Sequence, residues 1–412
     1  MARIQPFRAW RPAPGAAAAI ASPPYDVLSS DEARTMAAGN PDSFLHVGKP
    51  EIDLLPSTDV YSDEVYAKGA ENFRALVARG RLIRDEAPCL YLYRQRMGDH
   101  TQTGVVAGAS VVEYESDVIK KHEHTRRKKE DDRTRHVDTL NAHTGPVFLT
   151  YRARPEIDDL VRRLTSVAPT YDFVAADGIQ HTLWVVGRPV DRDALAAAFQ
   201  PVPVLYVADG HHRSAAGVRV CRERREANKK HTGEEPYNFF LSVIFPDNQM
   251  KVMDYNRVVR DLHGLDQAAF MKRVEERFEV TPVDGGRPQR ARCFGMFLGG
   301  HWYRLTAKPE HVPDDPVRGL DVAILQENLL APVLGIGDPR SDERIDFVGG
   351  IRGLEELERL VGSGRFAVAF ALHPTSIEQL FAVADAGQVM PPKSTWFEPK
   401  LRDGLVSFPL ED

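Results

Sequence analysis

Strand-length apolar runs recur along the whole chain, and stretches of helical periodicity separate them. "PVFLTY" (146–151), "VLYVA" (204–208), "NFFLSVIFP" (238–246) and "FAVAFALHP" (366–374) are too short for core helices and read as buried strands. "SDEVYAKGAENFRALVARG" (62–80) is different: Val65, Ala70, Phe73, Leu76 and Val77 share one helical face. A chain that keeps switching between the two periods can be neither a bundle nor a pure sandwich. The fold class is α/β, with mixed sheets.

The remaining segments keep to the same grammar. "PCLYLYRQRMGDHTQTGVVAGASVV" (88–112) reads as two strands around a polar turn. "RKKEDDRTRHVDTLNAHTG" (127–145) reads as a charged helix closed by Gly145, with a Lys128–Asp132 pair on its surface. Helices are expected in 156–167, 191–200, 320–336 and 376–387, the last stopped by Gly387. Hairpins are expected around Asp177-Gly178 and Gly299-Gly300. "PGAAAAIASPP" (14–24) reads as a loop. The character changes across a loop-rich stretch near 260–290. This divides the 412 residues into an N-terminal region, 1–260, and a C-terminal α+β region, 261–412, packing back on it.

Composition excludes some functions. A net charge of −6 sets up no field that draws the chain to nucleic acid or anionic lipid. No apolar run reaches membrane-spanning length. Cys89, Cys221 and Cys293 are scattered, which supports neither a disulfide framework nor a cysteine zinc site and fits a reducing cytoplasm. The expected partners are small molecules.

Chemistry concentrates in three places. Asp-Gly occurs four times, at 177, 209, 284 and 403, so the dipeptide alone means little. Only Asp209-Gly210 joins a buried strand to a helical stretch, with His211, His212 and Arg213 following at once. A strand-to-helix turn gathers backbone N–H groups and the positive end of the helix dipole. Gly210 permits close approach of a ligand, and Arg213 can clamp phosphate with its planar fork. The histidines can donate to oxyanions or bind a metal, and Asp209 can hold Mg²⁺. Plain helix capping is the bland alternative.

The second place is "KKHEHTRRKKEDDR" (120–133), where Glu123 lies between His122 and His124 and can serve as a general base. From Arg126 to Arg135 there are six basic and three acidic residues, which suits a solvated helix or a polyphosphate-binding helix start. The third is "MPPKSTWFEPK" (390–400). It lacks the glycines of a P-loop, and Pro391-Pro392 remove N–H groups, yet Lys393, Ser394 and Thr395 can each donate to an anion. Lys400 adds charge nearby in sequence. Near the N-terminus, Tyr25 and Asp26 of "PPYDVLS" either line a pocket or cap the helix that follows.

Taken in order, "PPYDVLS", "NPDSFLHV", "KKHEHTRRKKEDDR", "YVADGHHRSAAG" and "MPPKSTWFEPKLRDGLV" resemble the family called domain of unknown function 1015. Some of its members are identified as pyrophosphate-dependent kinases of free L-serine. The core also resembles the ParB/sulfiredoxin superfamily, which includes an ADP-dependent free serine kinase. The resemblance implies that Asp209, Gly210, His211, His212 and Arg213 hold donor phosphates and Mg²⁺. It implies that Glu123 takes the serine hydroxyl proton. His122, Thr125, Tyr25 and Asp26 are the expected substrate neighbours. Ser214 departs from the pattern, since an aromatic is expected there in many relatives, and this bears on donor choice. Two other classes stay open: a CTP-binding regulator of ParB type, and a hydrolase with a metal on His122, His124, His211 and His212.

Overall fold

The computed structural model describes residues 2–411. The chain forms two compact units, Met1–Met250 with Pro399–Asp412, and Lys251–Glu398. The class is mixed α/β, as the alternating periods require.

The first unit is built on a nine-stranded mixed sheet. Its strands are β1 (Ile4–Gln5), β2 (Leu90–Met97), β3 (His100–Ser110), β4 (Ile119–Lys120), β5 (Val147–Tyr151), β6 (Tyr171–Val174), β7 (Gln180–Val186), β8 (Leu205–Asp209) and β9 (Phe239–Pro246). The order is β4-β8-β5-β9-β3-β2-β7-β6, with β1 paired to β3. The β4–β8 and β5–β9 pairs are parallel; the other pairs are antiparallel. The apolar runs lie where both faces are covered: every residue of β5 and β9 is buried.

Three helices bear on the site: α1 (Asp63–Ala78), α2 (Arg127–Leu140) and α3 (His211–Ala227). Val65, Ala70, Phe73 and Leu76 of α1 are buried as their spacing predicts. Val137 of α2 and Val218, Val220 and Cys221 of α3 join the core over the sheet. Arg219 and Arg224 of α3 pair with Asp131 and Asp138 of α2 at 2.5 and 2.8 Å, clamping the two helices together.

Three local expectations change. α2 is closed by Asn141 in the left-handed conformation (φ 54°), four residues before Gly145. Asparagine tolerates that region, so glycine is not needed. The Lys128–Asp132 pair does not form, because Asp132 faces inward and binds the Tyr66 hydroxyl at 2.9 Å and Arg133 at 2.9 Å. "PGAAAAIASPP" contains a helical turn, Ala17–Ile20, whose Ile20 is fully buried. Apolar burial there overrides the turn signal of the flanking prolines.

The second unit carries a six-stranded antiparallel sheet of β10 (Tyr255–Val259), β11 (Phe278–Val283), β12 (Cys293–Leu298), β13 (His301–Ala307), β14 (Ile345–Gly349) and β15 (Val368–Leu372). Their order is β11-β13-β12-β15-β10-β14. The β12–β13 hairpin turns at Gly299-Gly300, both at positive φ. Helix Ile377–Asp385 stops at Gly387, also at positive φ. The expected helix at 320–336 is helical from Asp321 to Leu325 and widens into a π turn over Gln326–Leu330. Among the described residues no helix is long and apolar enough to cross a membrane.

Candidate functional site

Strand β8 slips register against β5 between Val207 and Asp209, leaving a bulge immediately before the Asp-Gly step. Bulges twist a strand and re-aim the next side chain. Here that side chain is Asp209. Gly210 follows in the left-handed region (φ 94°, ψ 28°) and starts α3 with no side-chain cap, so plain helix capping does not explain the turn. A Cβ on Gly210 would lie 3.3 Å from the Val147 Cα, so the turn is packed as well as bent. Gly178 shows the contrast, with nothing within 4 Å of its would-be Cβ.

The residues of the turn have separate surroundings. Asp209 Oδ1 accepts the Gly210 N–H at 2.7 Å, and its Oδ2 accepts from Lys400 Nζ at 2.9 Å. Burial pushes the Asp209 carboxyl up, but Lys400 and Arg213 outweigh it and hold the group well below the usual carboxylate range. His211 is buried edge-on against His122, with ring centroids 4.5 Å apart. Burial, and for His211 the neighbouring His122, keeps both rings neutral at physiological pH; His122 is lowered to about 4. Among the described residues His211 Nε2 has no hydrogen-bond partner. His212 accepts the Arg126 N–H on Nε2 at 3.1 Å, which places its own proton on Nδ1 when neutral.

Arg213 has its own partners and stays beside the turn, its Nη1 3.7 Å from where a Cβ on Gly210 would lie. Its Nη2 donates to Asp26 Oδ1 at 3.1 Å, its Nη1 donates to the Pro146 carbonyl at 3.1 Å, and its guanidinium lies 5.3 Å from the centre of the Tyr25 ring. Arg133 stacks on that ring at 3.9 Å. Tyr25 and Asp26 therefore both contact Arg213; the helix after them, Ser30–Ala37, is capped by Ser29.

Glu123 lies in the loop after β4 with its side chain 43% exposed, and Oε2 is 3.9 Å from His211 Nδ1. With His211 neutral this is proximity, not an ion pair. His124 is exposed while His122 is buried, so the two diverge. Thr125 donates from Oγ1 to Glu130 Oε2 at 2.8 Å across the start of α2.

The structure thus brings Tyr25, Asp26, His122, Glu123, Asp209, Gly210, His211, His212 and Arg213 into one region of the first unit. Lys393, Ser394 and Thr395 belong to the second unit. There Lys393 is left-handed (φ 60°), its carbonyl accepts from the buried Arg257 at 2.9 Å, and Ser394 Oγ donates to the Pro391 carbonyl at 2.6 Å.

Asp403 and Gly145 were not assigned to the site from sequence, and Lys400 was read there only as added charge beside the proline-rich motif. Asp403 is buried with Oδ1 unpartnered, lining a cavity of about 20 Å³ with Tyr25, Arg133, Gly145 and Arg213. Burial pushes its carboxyl up to about 7, against the pull of Arg213. Gly145 has no helix to close; a Cβ there would sit 3.3 Å from both Arg213 Nε and Asp403 Oδ1. Lys400 supplies the cation on Asp209. The available signal was "PKLRDG", where a charged segment follows the proline-rich motif and carries the fourth Asp-Gly.

Chemically, the region offers helix-start amides and two cations to an anion, beside a carboxylate able to accept a proton. It is less suited to holding a metal by itself. Asp209 has both oxygens committed, and among the described residues no three His, Cys, Asp or Glu side chains gather as a metal set.

The chain matches no curated protein sequence. It is similar to a solved free serine kinase in complex with AMP, at 13% identity over 73% of this chain and 91% of that one, with a TM-score of 0.36. It is similar to a conserved hypothetical protein from Pyrococcus furiosus at 14% identity, over 73% and 93%, with a TM-score of 0.34. It is also similar to SbnI with C-terminal truncation from Staphylococcus aureus, at 12% identity over 72% and 85%, with a TM-score of 0.39. The family model described as a protein of unknown function, domain of unknown function 1015, matches residues 4–323, and the chain belongs to that family.

Proposed function

We propose that this protein is a small-molecule kinase that transfers a phosphoryl group to the hydroxyl of free L-serine, from pyrophosphate or a nucleotide. The observation that carries the reading is the bulged strand end at Asp209, followed by left-handed Gly210 and a 17-residue helix whose first turn carries Arg213. Amides without intrahelical acceptors converge there, and phosphate is the ligand such a point suits. The choice of serine rests on the motifs shared with family members identified as serine kinases.

In this reading the His211 and His212 amides, the His212 ring and the Arg213 guanidinium hold the oxygens of the donor. The serine Oγ attacks the terminal phosphorus, the bond to the departing phosphate breaks, and Glu123 accepts the Oγ proton. His122, Thr125, Tyr25 and Asp26 border the acceptor. Magnesium is proposed only as a companion of the donor, where it would neutralise phosphate charge. Asp209, already on Lys400, does not fit as a ready-made magnesium ligand.

The test is direct. The protein is incubated with L-serine and, in turn, pyrophosphate, ADP, ATP and CTP, each with Mg²⁺, and O-phosphoserine is measured. Phosphoserine with one donor supports the kinase. CTP binding and no phosphorylated product with any donor would replace it with a nucleotide-dependent regulator.

A further inference from the structure

Lys400 is held by an arrangement more elaborate than a surface ion pair requires. Its carbonyl accepts from Gln95 Nε2 at 2.8 Å. Gln95 Oε1 accepts from Gln102 Nε2 at 3.1 Å, and Gln102 Oε1 lies 3.1 Å from His100 Nε2. Both glutamines are fully buried, on the adjacent strands β2 and β3. Burying two amides inside a sheet is unfavourable unless their hydrogen bonds are made, and here the chain of bonds ends on the backbone of Lys400.

Two residues on, a second buried chain fixes the same segment. Arg402 Nε donates to His181 Nε2 at 3.1 Å, His181 Nδ1 lies 2.7 Å from the Tyr93 hydroxyl, and Arg402 Nη2 pairs with Asp177. Asp403 exchanges backbone hydrogen bonds with Ser22. The segment that carries Lys400 is therefore anchored to β2 and to β7, and its side chain donates to Asp209 Oδ2.

Asp209 is in turn aimed by the β8 bulge and by the Gly210 amide. The Lys400–Asp209 pair opens to solvent: the two side chains are 17% and 35% exposed. Asp209 sits two residues before His211, the first residue of α3. A divalent cation on Asp209 would have to displace an ammonium already fixed there.

We infer that Lys400 is a phosphate-contacting residue of this site, presenting its ammonium to the donor, and that Asp209 is a positioning residue that aims it. This rests on the phosphoryl-transfer reading above. Lys400 then supplies, next to the helix start, the positive charge that a metal on Asp209 would otherwise bring.

The experiment is calorimetric titration with inorganic pyrophosphate at low salt, first in EDTA and then with Mg²⁺. The proteins are the unsubstituted chain, Lys400→Met, Lys400→Arg, and the double variant Asp209→Asn/Lys400→Met. The expected result is metal-free binding by the unsubstituted protein, weakened about tenfold or more in Lys400→Met and largely kept in Lys400→Arg. The double variant removes the unpaired carboxylate that Lys400→Met leaves behind. It should regain the melting temperature but not the affinity.

If the double variant regains both, Lys400 only neutralises Asp209 and the inference falls. Binding to Lys400→Met within twofold of the unsubstituted protein would overturn the inference and leave the phosphate site standing. Mn²⁺ added alone, bound by the unsubstituted protein in electron paramagnetic resonance and lost in a further single variant, Asp209→Asn, would return Asp209 to a metal role and overturn the inference. Absence of pyrophosphate binding under every condition, together with absence of nucleotide binding, would overturn the phosphate reading and this inference with it.

Discussion

The four Asp-Gly steps are indistinguishable as letters, and the structure ranks them. Gly178 (φ 78°), Gly210 (φ 94°) and Gly404 (φ 85°) all need the left-handed region, so alanine costs each about 1 kcal/mol before any contact is considered. They differ in what a new methyl would meet. Gly178 faces open space, so Gly178→Ala should cost no more than that ~1 kcal/mol. Gly210 meets the Val147 Cα at 3.3 Å, backbone that yields only as a unit. That contact should bring Gly210→Ala to about 2 kcal/mol. Gly404 meets the Phe44 ring and Cβ at 2.7–2.9 Å, and Phe44 is itself fully buried. Overpacking of that kind adds about 1–3 kcal/mol, for a total of roughly 2–4 kcal/mol. All three lie in the first unit, so one unfolding transition reports them. At about 2–4 °C per kcal/mol, melting followed by circular dichroism should fall by a few degrees for Gly178→Ala and by roughly 10 °C for Gly404→Ala. Gly285, in the second unit, without positive φ and with open space around it, should leave the first unit's transition where it is when changed to alanine. If Gly178→Ala proves as damaging as Gly404→Ala, the local packing is not what separates these turns and the reasoning is wrong.

Three further outcomes follow from the site. Glu123→Gln should lower phosphoserine formation by about 10²–10⁴ with donor binding nearly unchanged; unaltered turnover removes Glu123 as the base. Asp403 binds its proton more tightly folded than unfolded, so its contribution to stability is complete below about pH 4 and lost as pH rises through about 7. The unsubstituted protein should therefore lose up to about 4 kcal/mol relative to Asp403→Asn over that range, read from urea unfolding at pH 4, 5.5 and 7.5; parallel pH curves would refute this. Gln95→Leu strands both the Lys400 carbonyl and the Gln102 amide. It should cost roughly 2–4 kcal/mol in urea unfolding, and a loss under 1 kcal/mol would mean that the amide chain is dispensable.

Much of the element pattern was legible because it depends on local periodicity. The spacing of Val65, Ala70, Phe73 and Leu76 fixes one helix face whatever the chain does elsewhere, and "NFFLSVIFP" has few alternatives to a buried strand. The strand-to-helix setting of Asp209-Gly210 was legible for the same reason. What was not legible depends on partners distant in sequence. Lys400 is 191 residues from Asp209, and nothing near "EPKLRDG" announces that its lysine is held by a glutamine 305 residues earlier. Asp403 reads as the first half of a turn until Arg213 and Gly145 are beside it. Asn141 could replace Gly145 as the stop of α2 because asparagine also enters the left-handed region, a substitution that spacing cannot foresee. Asp132 looks like the partner of Lys128 on a helical wheel, yet the wheel does not say which face is buried.

The first unit is discontinuous, and this has a consequence for how it is made. Met250 leaves the ribosome long before Pro399, with the whole of Lys251–Glu398 between them. At roughly 5–20 residues per second, the sheet around Asp209 waits on the order of ten seconds for Lys400 and Asp403 to be synthesised. During that interval Asp209 and Arg213 lack their late partners, and the buried Gln95 amide lacks the carbonyl it is placed to meet. A nascent chain interrupted after Glu398 would carry every histidine of the site but not the lysine on Asp209.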